Sequence, residues 1–249
     1  MFHVVAYAGS VGAGSSYVEL TAVTDGVFGT ANGRLVYGAD LEMFAALATG
    51  QEMRAARIST ASLRQIAPSS LRPVDQGLDP FFLTWDPKLV ELLDHPIRLR
   101  ANEEIKIEAF HGDASSQTLK VLLWVTRRLK PAPRGDMITI RGASSTSLAG
   151  GSWEELTVSW QATLPRGEYA VVGAEVIGIG AVHRWRFEAG GFRPGGFVIP
   201  FATARTHEYF LYGRLGLWQT FKTPVFPRVE IYGDVSGSGH TLYLHLIRL

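Results

Sequence analysis

The chain is written twice, and that constrains its fold more than any other feature. Residues 1–21 and 137–157 align without a gap at one constant offset. Tyr17-Val18-Glu19-Leu20-Thr21 answers Trp153-Glu154-Glu155-Leu156-Thr157, with Ser16 opposite Ser152 and Gly14 opposite Gly150. After one residue of drift, Val36-Tyr37-Gly38-Ala39-Asp40 answers Val171-Val172-Gly173-Ala174-Glu175. Leu71-Arg72-Pro73 answers Phe192-Arg193-Pro194, and Ile105-Lys106-Ile107-Glu108 loosely answers Val229-Glu230-Ile231. Both copies close on an apolar strand, Thr118 to Val125 and Thr241 to Ile247. Matches kept in order, with length differences between them, mark a repeated domain. Each copy exceeds about 110 residues, too long for a solenoid unit, so each is expected to fold around its own core. The expected division is 1–126, a linker at 127–136, and 137–249.

Strand signals dominate both copies. Ile97-Arg98-Leu99-Arg100, Ile105 to Phe110, Val182 to Phe187 and Arg228 to Tyr232 alternate apolar and polar, as half-buried strands do. Thr157 to Ala162, Glu168 to Ile177 and Leu119 to Val125 read as further strands. The 27 Gly and 12 Pro supply turns between them. Asp40 to Ile58 holds helix formers, but its counterpart reads as strand, and the repeat outweighs a weak propensity. Thr60 to Ile66, Asp86 to Leu93 and Thr206 to Tyr212 are short helix candidates, the first capped by Ser59 or Thr60. The expected class is all-β: two tandem jelly-roll barrels or sandwiches related by internal duplication.

Chemistry is conspicuous by what is missing. There is no Cys, which removes disulfides and thiolate catalysis. The seven His show no His-x-His spacing, and His240 and His245 should face opposite sides of one strand. Gly9 to Gly14 lacks the Gly-Lys-Ser/Thr ending of a phosphate loop, and no Gly-x-Ser-x-Gly elbow occurs. Glu103-Glu104 and Glu154-Glu155 are neighbours whose side chains point apart on a strand, poor geometry for acid–base work. No catalytic, metal or cofactor-binding residue is assigned, no cofactor is expected, and the chain reads as a non-enzyme. Trp153, Trp160, Trp185 and Trp218 suggest a sugar-stacking platform. Trp153 answers Tyr17, however, and shared core packing is the stronger reading.

The start of the chain lacks a signal-peptide pattern, and no apolar run reaches membrane-spanning length, so a soluble or assembled product is expected. Net charge is only +1, so nothing pulls the whole protein toward nucleic acid. The linker is different. Arg127, Arg128, Lys130 and Arg134 place four cations within eight residues. Alone they give weak, salt-sensitive attachment to a polyanion, but many copies in an assembly would act together.

Two barrel-like repeats, Gly/Pro-rich loops and no catalytic constellation resemble one family: the double jelly-roll major capsid proteins of icosahedral, membrane-containing bacteriophages. Arg193-Pro194-Gly195, Gly216 to Phe221 and Phe226 to Glu230 also look like capsid barrels of this type. The resemblance implies a homotrimer with a pseudo-hexameric outline in a virion lattice, made in the host cytoplasm and meeting other capsid and vertex proteins. It implies no small-molecule substrate. The linker cations would then be an interior anion contact, to internal membrane or genome. The competing reading is a tandem β-sandwich carbohydrate- or receptor-binding module, lectin-like or from a phage tail. A third, a bicupin enzyme, would need bound metal.

Overall fold

The computed structural model describes residues 2–14, 16–23, 28–49, 53–63, 69–71, 90–178, 184–188, 193–200, 213–232 and 238–249. It is all-β. Two compact units divide the chain: Val5–Arg127, and Arg128–Leu249 together with Met1–Val4.

The first unit holds β1 (His3–Val11), β2 (Val18–Val23), β3 (Gly29–Ala31), β4 (Arg34–Val36), β5 (Leu41–Thr49), β6 (Met53–Ser59), β7 (Ser69–Leu71), β8 (Val90–Glu91), β9 (Ile97–Leu99), β10 (Lys106–His111) and β11 (Gln117–Thr126). Its main sheet runs β7-β6-β10-β2-β1-β11-β5-β8, with β9 also on β5. Strands β8 and β9 pair with successive parts of β5 and act as one broken strand. The small β3–β4 hairpin stands apart. Counting β8 and β9 together, the main strands fall into two half-sheets. One has the chain order first–eighth–third–sixth, the other second–seventh–fourth–fifth. That is the strand order of a jelly roll. The core lies between the half-sheets and includes Leu20, Ile58, Ile107, Leu119, Val121 and Leu123.

The second unit holds β12 (Met137–Ser144), β13 (Trp153–Glu155), β14 (Ser159–Trp160), β15 (Glu168–Gly178), β16 (Arg184–Glu188), β17 (Gly195–Pro200), β18 (Gln219–Lys222), β19 (Arg228–Tyr232) and β20 (His240–Arg248). Its path is β13-β19-β16-β17-β15-β20-β12-β14, with β18 on β15. With β14 set aside as an extra edge, the half-sheets repeat the same two orders. The halves join differently: β1 pairs with β2 in the first unit, whereas β15 pairs in parallel with β17 in the second. Aromatic rings fill this core. Trp185 stacks on Trp218 at 5.8 Å and 15°, and Phe187 meets both edge-on. Phe2 packs edge-on against Trp218 at 5.2 Å, and Val4 N–H donates to Arg193 C=O, which places residues 2–4 with this unit.

Several expectations change. Of the stretch 40–58, Leu41–Thr49 and residues 53–58 are strand, as the repeat requires, because β5 is buried along almost its whole length between β11 and the β8–β9 edge. Asp86 to Leu93 is not a helix where described: Val90–Glu91 pair with Ala45–Ala46, and Leu92 N–H continues to Phe44 C=O. Residues 86–89 and 206–212 lie outside the described residues. Thr60 does accept Leu63 N–H through Oγ1 at 3.3 Å, the expected capping bond, while residues 64–66 lie outside the described ones. Only Ser159–Trp160 of the stretch 157–162 is strand. Leu156 N–H still donates to Val229 C=O, one step beyond the β13–β19 pairs, but Thr157 N–H donates to Thr146 Oγ1 and leaves that ladder.

Gly195 shows how tightly β16 and β17 approach. A Cβ there would lie 2.0 Å from Trp185 O and 2.7 Å from Arg186 Cα, both backbone atoms. Gly195→Ala should therefore lower stability by about 1–3 kcal/mol or more in a chemical-denaturation titration. Gly12→Ala, where nothing lies within 4 Å of the added methyl group, should leave the midpoint nearly unchanged.

Candidate functional site: matched charged faces and the basic linker

The side chains of the second–seventh–fourth–fifth half-sheet alternate between core and outer face. On β10, Ile107 and Ala109 turn inward, while Lys106, Glu108 and Phe110 turn outward. Directly opposite Glu108 sits Arg57 of β6, and Arg57 Nε donates to Glu108 Oε2 at 2.9 Å. The Arg57 guanidinium lies 4.1 Å from the Tyr17 ring centroid, and Tyr17 meets Phe110 edge-on at 4.9 Å.

The second unit repeats this cluster residue for residue. Arg186 of β16 lies opposite Glu230 of β19, with Nε to Oε2 at 2.6 Å. Its guanidinium lies 3.9 Å from the Trp153 ring, and Trp153 meets Tyr232 edge-on at 5.7 Å. Tyr17 and Trp153 thus hold equivalent positions. Neither is a core residue, which corrects the sequence reading: each is a half-buried ring on the outer face, covered by an arginine. The same contacts explain why Arg184 and Arg186, expected as the exposed half of an alternating strand, are 2% and 3% exposed. Arg184 also lies over Tyr232, 5.1 Å from its centroid. Planar guanidinium groups stack on rings while bonding carboxylates, which lysine cannot do as well.

In the first unit the cluster extends into a network. Lys106 Nζ bonds Glu108 at 2.8 Å and lies 3.6 Å from Glu19. Arg34, delivered by the β3–β4 hairpin, bonds Glu19 at 2.5 Å and Glu104 at 2.6 Å. Hydrogen bonding from Arg34 holds the Glu19 carboxyl below its ordinary range. Burial alone would raise Glu108, but its bonds to Arg57 and Lys106 outweigh that and lower it too. The adjacent glutamate pairs of the sequence are structural anchors. Glu103 accepts Ser62 Oγ–H at 2.6 Å, and Glu154 accepts the N–H groups of Ala149 and Gly150.

The linker cations Arg127, Arg128, Lys130 and Arg134 are all exposed. The division between units falls between Arg127 and Arg128. The backbone behind them is fixed to the second unit: Lys130 C=O accepts Leu217 N–H at 2.8 Å, and Ala132 packs against Ala170, Val172 and Ile247. Gly216, at φ +74°, permits this approach, since a Cβ would fall 2.2 Å from Lys130 O. The loop carrying Gly216 also presents exposed Arg214 near the linker, a cation the sequence did not single out.

The other sequence candidates have structural roles. His111 Nε2 bonds Val11 O at 2.9 Å while Nδ1 accepts Asp113 N–H, so the ring clips the loop after β10. His245 pairs its Nδ1 with Thr139 Oγ1 at 2.8 Å, and burial pushes its pKa down. Of the four tryptophans read as a sugar platform, Trp185 and Trp218 are core. Trp160 stacks on Phe226 at 5.0 Å beside a groove of about 670 Å³, and Phe226 also leans on Phe221 at 5.5 Å, so these rings mainly pack on one another.

The two matched ion pairs differ in burial, and the difference sets their energies. The Arg186 side chain is 4% exposed and the Arg57 side chain 32%. Arg57→Ala should cost about 1 kcal/mol. Arg186→Ala, which empties the more deeply buried guanidinium site and leaves Glu230 with the longer Arg193 contact at 3.4 Å, should cost about 3 kcal/mol. Urea titration of each variant checks the ratio. Because Glu19 and Glu108 are lowered, their contribution is complete above their ordinary value of 4.5 and fades as pH falls through the lowered folded values. Glu108→Gln should therefore destabilise the protein at neutral pH and flatten the acid limb of its stability profile.

No protein-family model matches the chain, and no curated protein does. Among solved structures, the major capsid protein P2 of bacteriophage PM2 aligns over 100% of this chain and 98% of that one. The identity is 9% and the TM-score 0.28.

Proposed function

We propose that this chain is a structural protein, the major capsid protein of an icosahedral bacteriophage, and not an enzyme. The observation that carries the reading is the recurrence, in two consecutive units of one chain, of the same jelly-roll strand order. The Arg–Glu–aromatic cluster at one register supports descent of both units from a single copied domain. Jelly rolls serve capsids, lectins and cupins alike, so strand order alone does not choose among these. Duplication does favour the capsid. A closed ring of three chains then has six similar lobes and tiles a hexagonal lattice. In this reading the chain is made in the host cytoplasm and works in the virion, against itself and other capsid and vertex proteins. Arg127, Arg128, Lys130 and Arg134 give a weak interior contact to membrane or genome, multiplied by copy number.

Multi-angle light scattering of the native protein should give three times the chain mass, or a larger assembly. A strict monomer at high concentration would contradict the capsid reading and favour the tandem carbohydrate- or receptor-binding module, which a glycan array would then reveal. Replacing the four linker cations with Ser or Gln should leave the unfolding midpoint within about 0.5 kcal/mol, since the charges are exposed. It should weaken assembly around anionic vesicles or nucleic acid most at low salt. Normal assembly at every ionic strength would reduce these charges to a solvated loop.

A further inference from the structure

Four large hydrophobic residues are exposed at one end of the second unit: Met137 at 36%, Ile138 at 39%, Leu249 at 58% and Val225 at 72%. Their meeting is a consequence of register. Met137 pairs with Ile247, Arg248 with Tyr169, and Lys222 with Glu168. The start of β12, the end of β20, the start of β15 and the end of β18 therefore lie side by side, a row roughly 14 Å across at ordinary strand spacing. The turns are tied together. Thr223 Oγ1 donates to Pro165 O at 2.9 Å, Val225 N–H to Lys222 O at 3.1 Å, and Leu249 N–H to Glu168 O at 2.9 Å.

Each of these strands also brings one exposed cation to the same end: Arg134 before β12, Arg248 closing β20, Arg166 before β15 and Lys222 closing β18. Arg248 Nη2 bonds Arg166 O at 3.1 Å, which holds two of them together. The acidic neighbours include Asp136, Glu188, which lines the groove holding Lys222 and Val225, and Glu168, 3.9 Å from a largely solvated Lys222. Cations alone would suit any polyanion. Exposed aliphatic tips among cations suit one kind of surface better. A bilayer offers phosphates to the cations and an acyl boundary to the tips, whereas a nucleic-acid backbone leaves Val225 and Leu249 in water.

We propose that this end of the second unit is an interfacial contact for an anionic lipid bilayer, with Arg134, Arg166, Lys222 and Arg248 at the headgroups and Val225 and Leu249 entering below them. The inference rests on the linker part of the proposed function for placing anions at this end, but it needs no assembled particle. The test is flotation of the full-length protein with vesicles of phosphatidylcholine and phosphatidylglycerol, against pure phosphatidylcholine and against a short single-stranded DNA in a gel-shift assay. The protein should float with the anionic vesicles only. Arg166→Gln, Lys222→Gln and Arg248→Gln combined should cut the bound fraction at least about tenfold at low salt. Val225→Ser with Leu249→Ser should weaken vesicle binding several-fold and leave any DNA binding unchanged. Absence of flotation, or loss of DNA and vesicle binding in parallel through the charge variant with no effect of the apolar one, would overturn the proposal. Unchanged circular dichroism shows that the variants fold. Light scattering on the same samples separates the two readings: trimers that ignore vesicles defeat this inference alone, and monomers that float defeat the capsid reading alone.

Discussion

In each unit the last strand made is the one that holds the sheet together. Strand β11 lies between β1 and β5, and β20 lies between β12 and β15. Neither half-sheet can close until its final strand returns across the whole unit, so nearly all stabilising contacts are distant in sequence. Such topologies lose much chain entropy before pairing compensates, and they fold slowly. The central strands answer that demand with burial. Leu119 to Val125 and Leu242 to Leu246 are buried almost without interruption, so the closing strand contributes the largest apolar surface at the moment it inserts.

The matched clusters follow from the same closure. Arg57 and Arg186 bridge the fourth and seventh strands, and each stacks on a ring delivered by the second or the residue just before it. One contact therefore fixes the register of three strands on the outer face, where the core cannot. A one-residue slip would reverse every side chain and break both the ion pair and the stack. That the same device recurs in both units, with Tyr17 exchanged for Trp153 and Phe110 for Tyr232, is more specific than shared strand order.

Much of this was legible in the residues. The repeat identified equivalent positions and made Leu41 to Thr49 strand despite its helix formers. It could not say which face Tyr17 and Trp153 occupy, because a ring covered by arginine has the same sequence signature as a ring in the core. Alternation misjudged Arg184 and Arg186 for the same reason. The stretch 157–162 looks like a full strand, but Thr146 Oγ1 takes the Thr157 N–H, and no local pattern reveals a distant partner. The linker cations stand out because they lie within eight residues of one another. Arg166, Lys222 and Arg248 did not, since only strand register brings them to one end.

Two like units in one chain are proposed above to build a ring with more apparent than true symmetry. Cryo-electron microscopy of the purified protein tests it most directly. The particles should show threefold symmetry and six similar lobes, each lobe the size of one unit. Isolated two-lobed particles, or rings in which the two units of a chain occupy unlike environments, would contradict it.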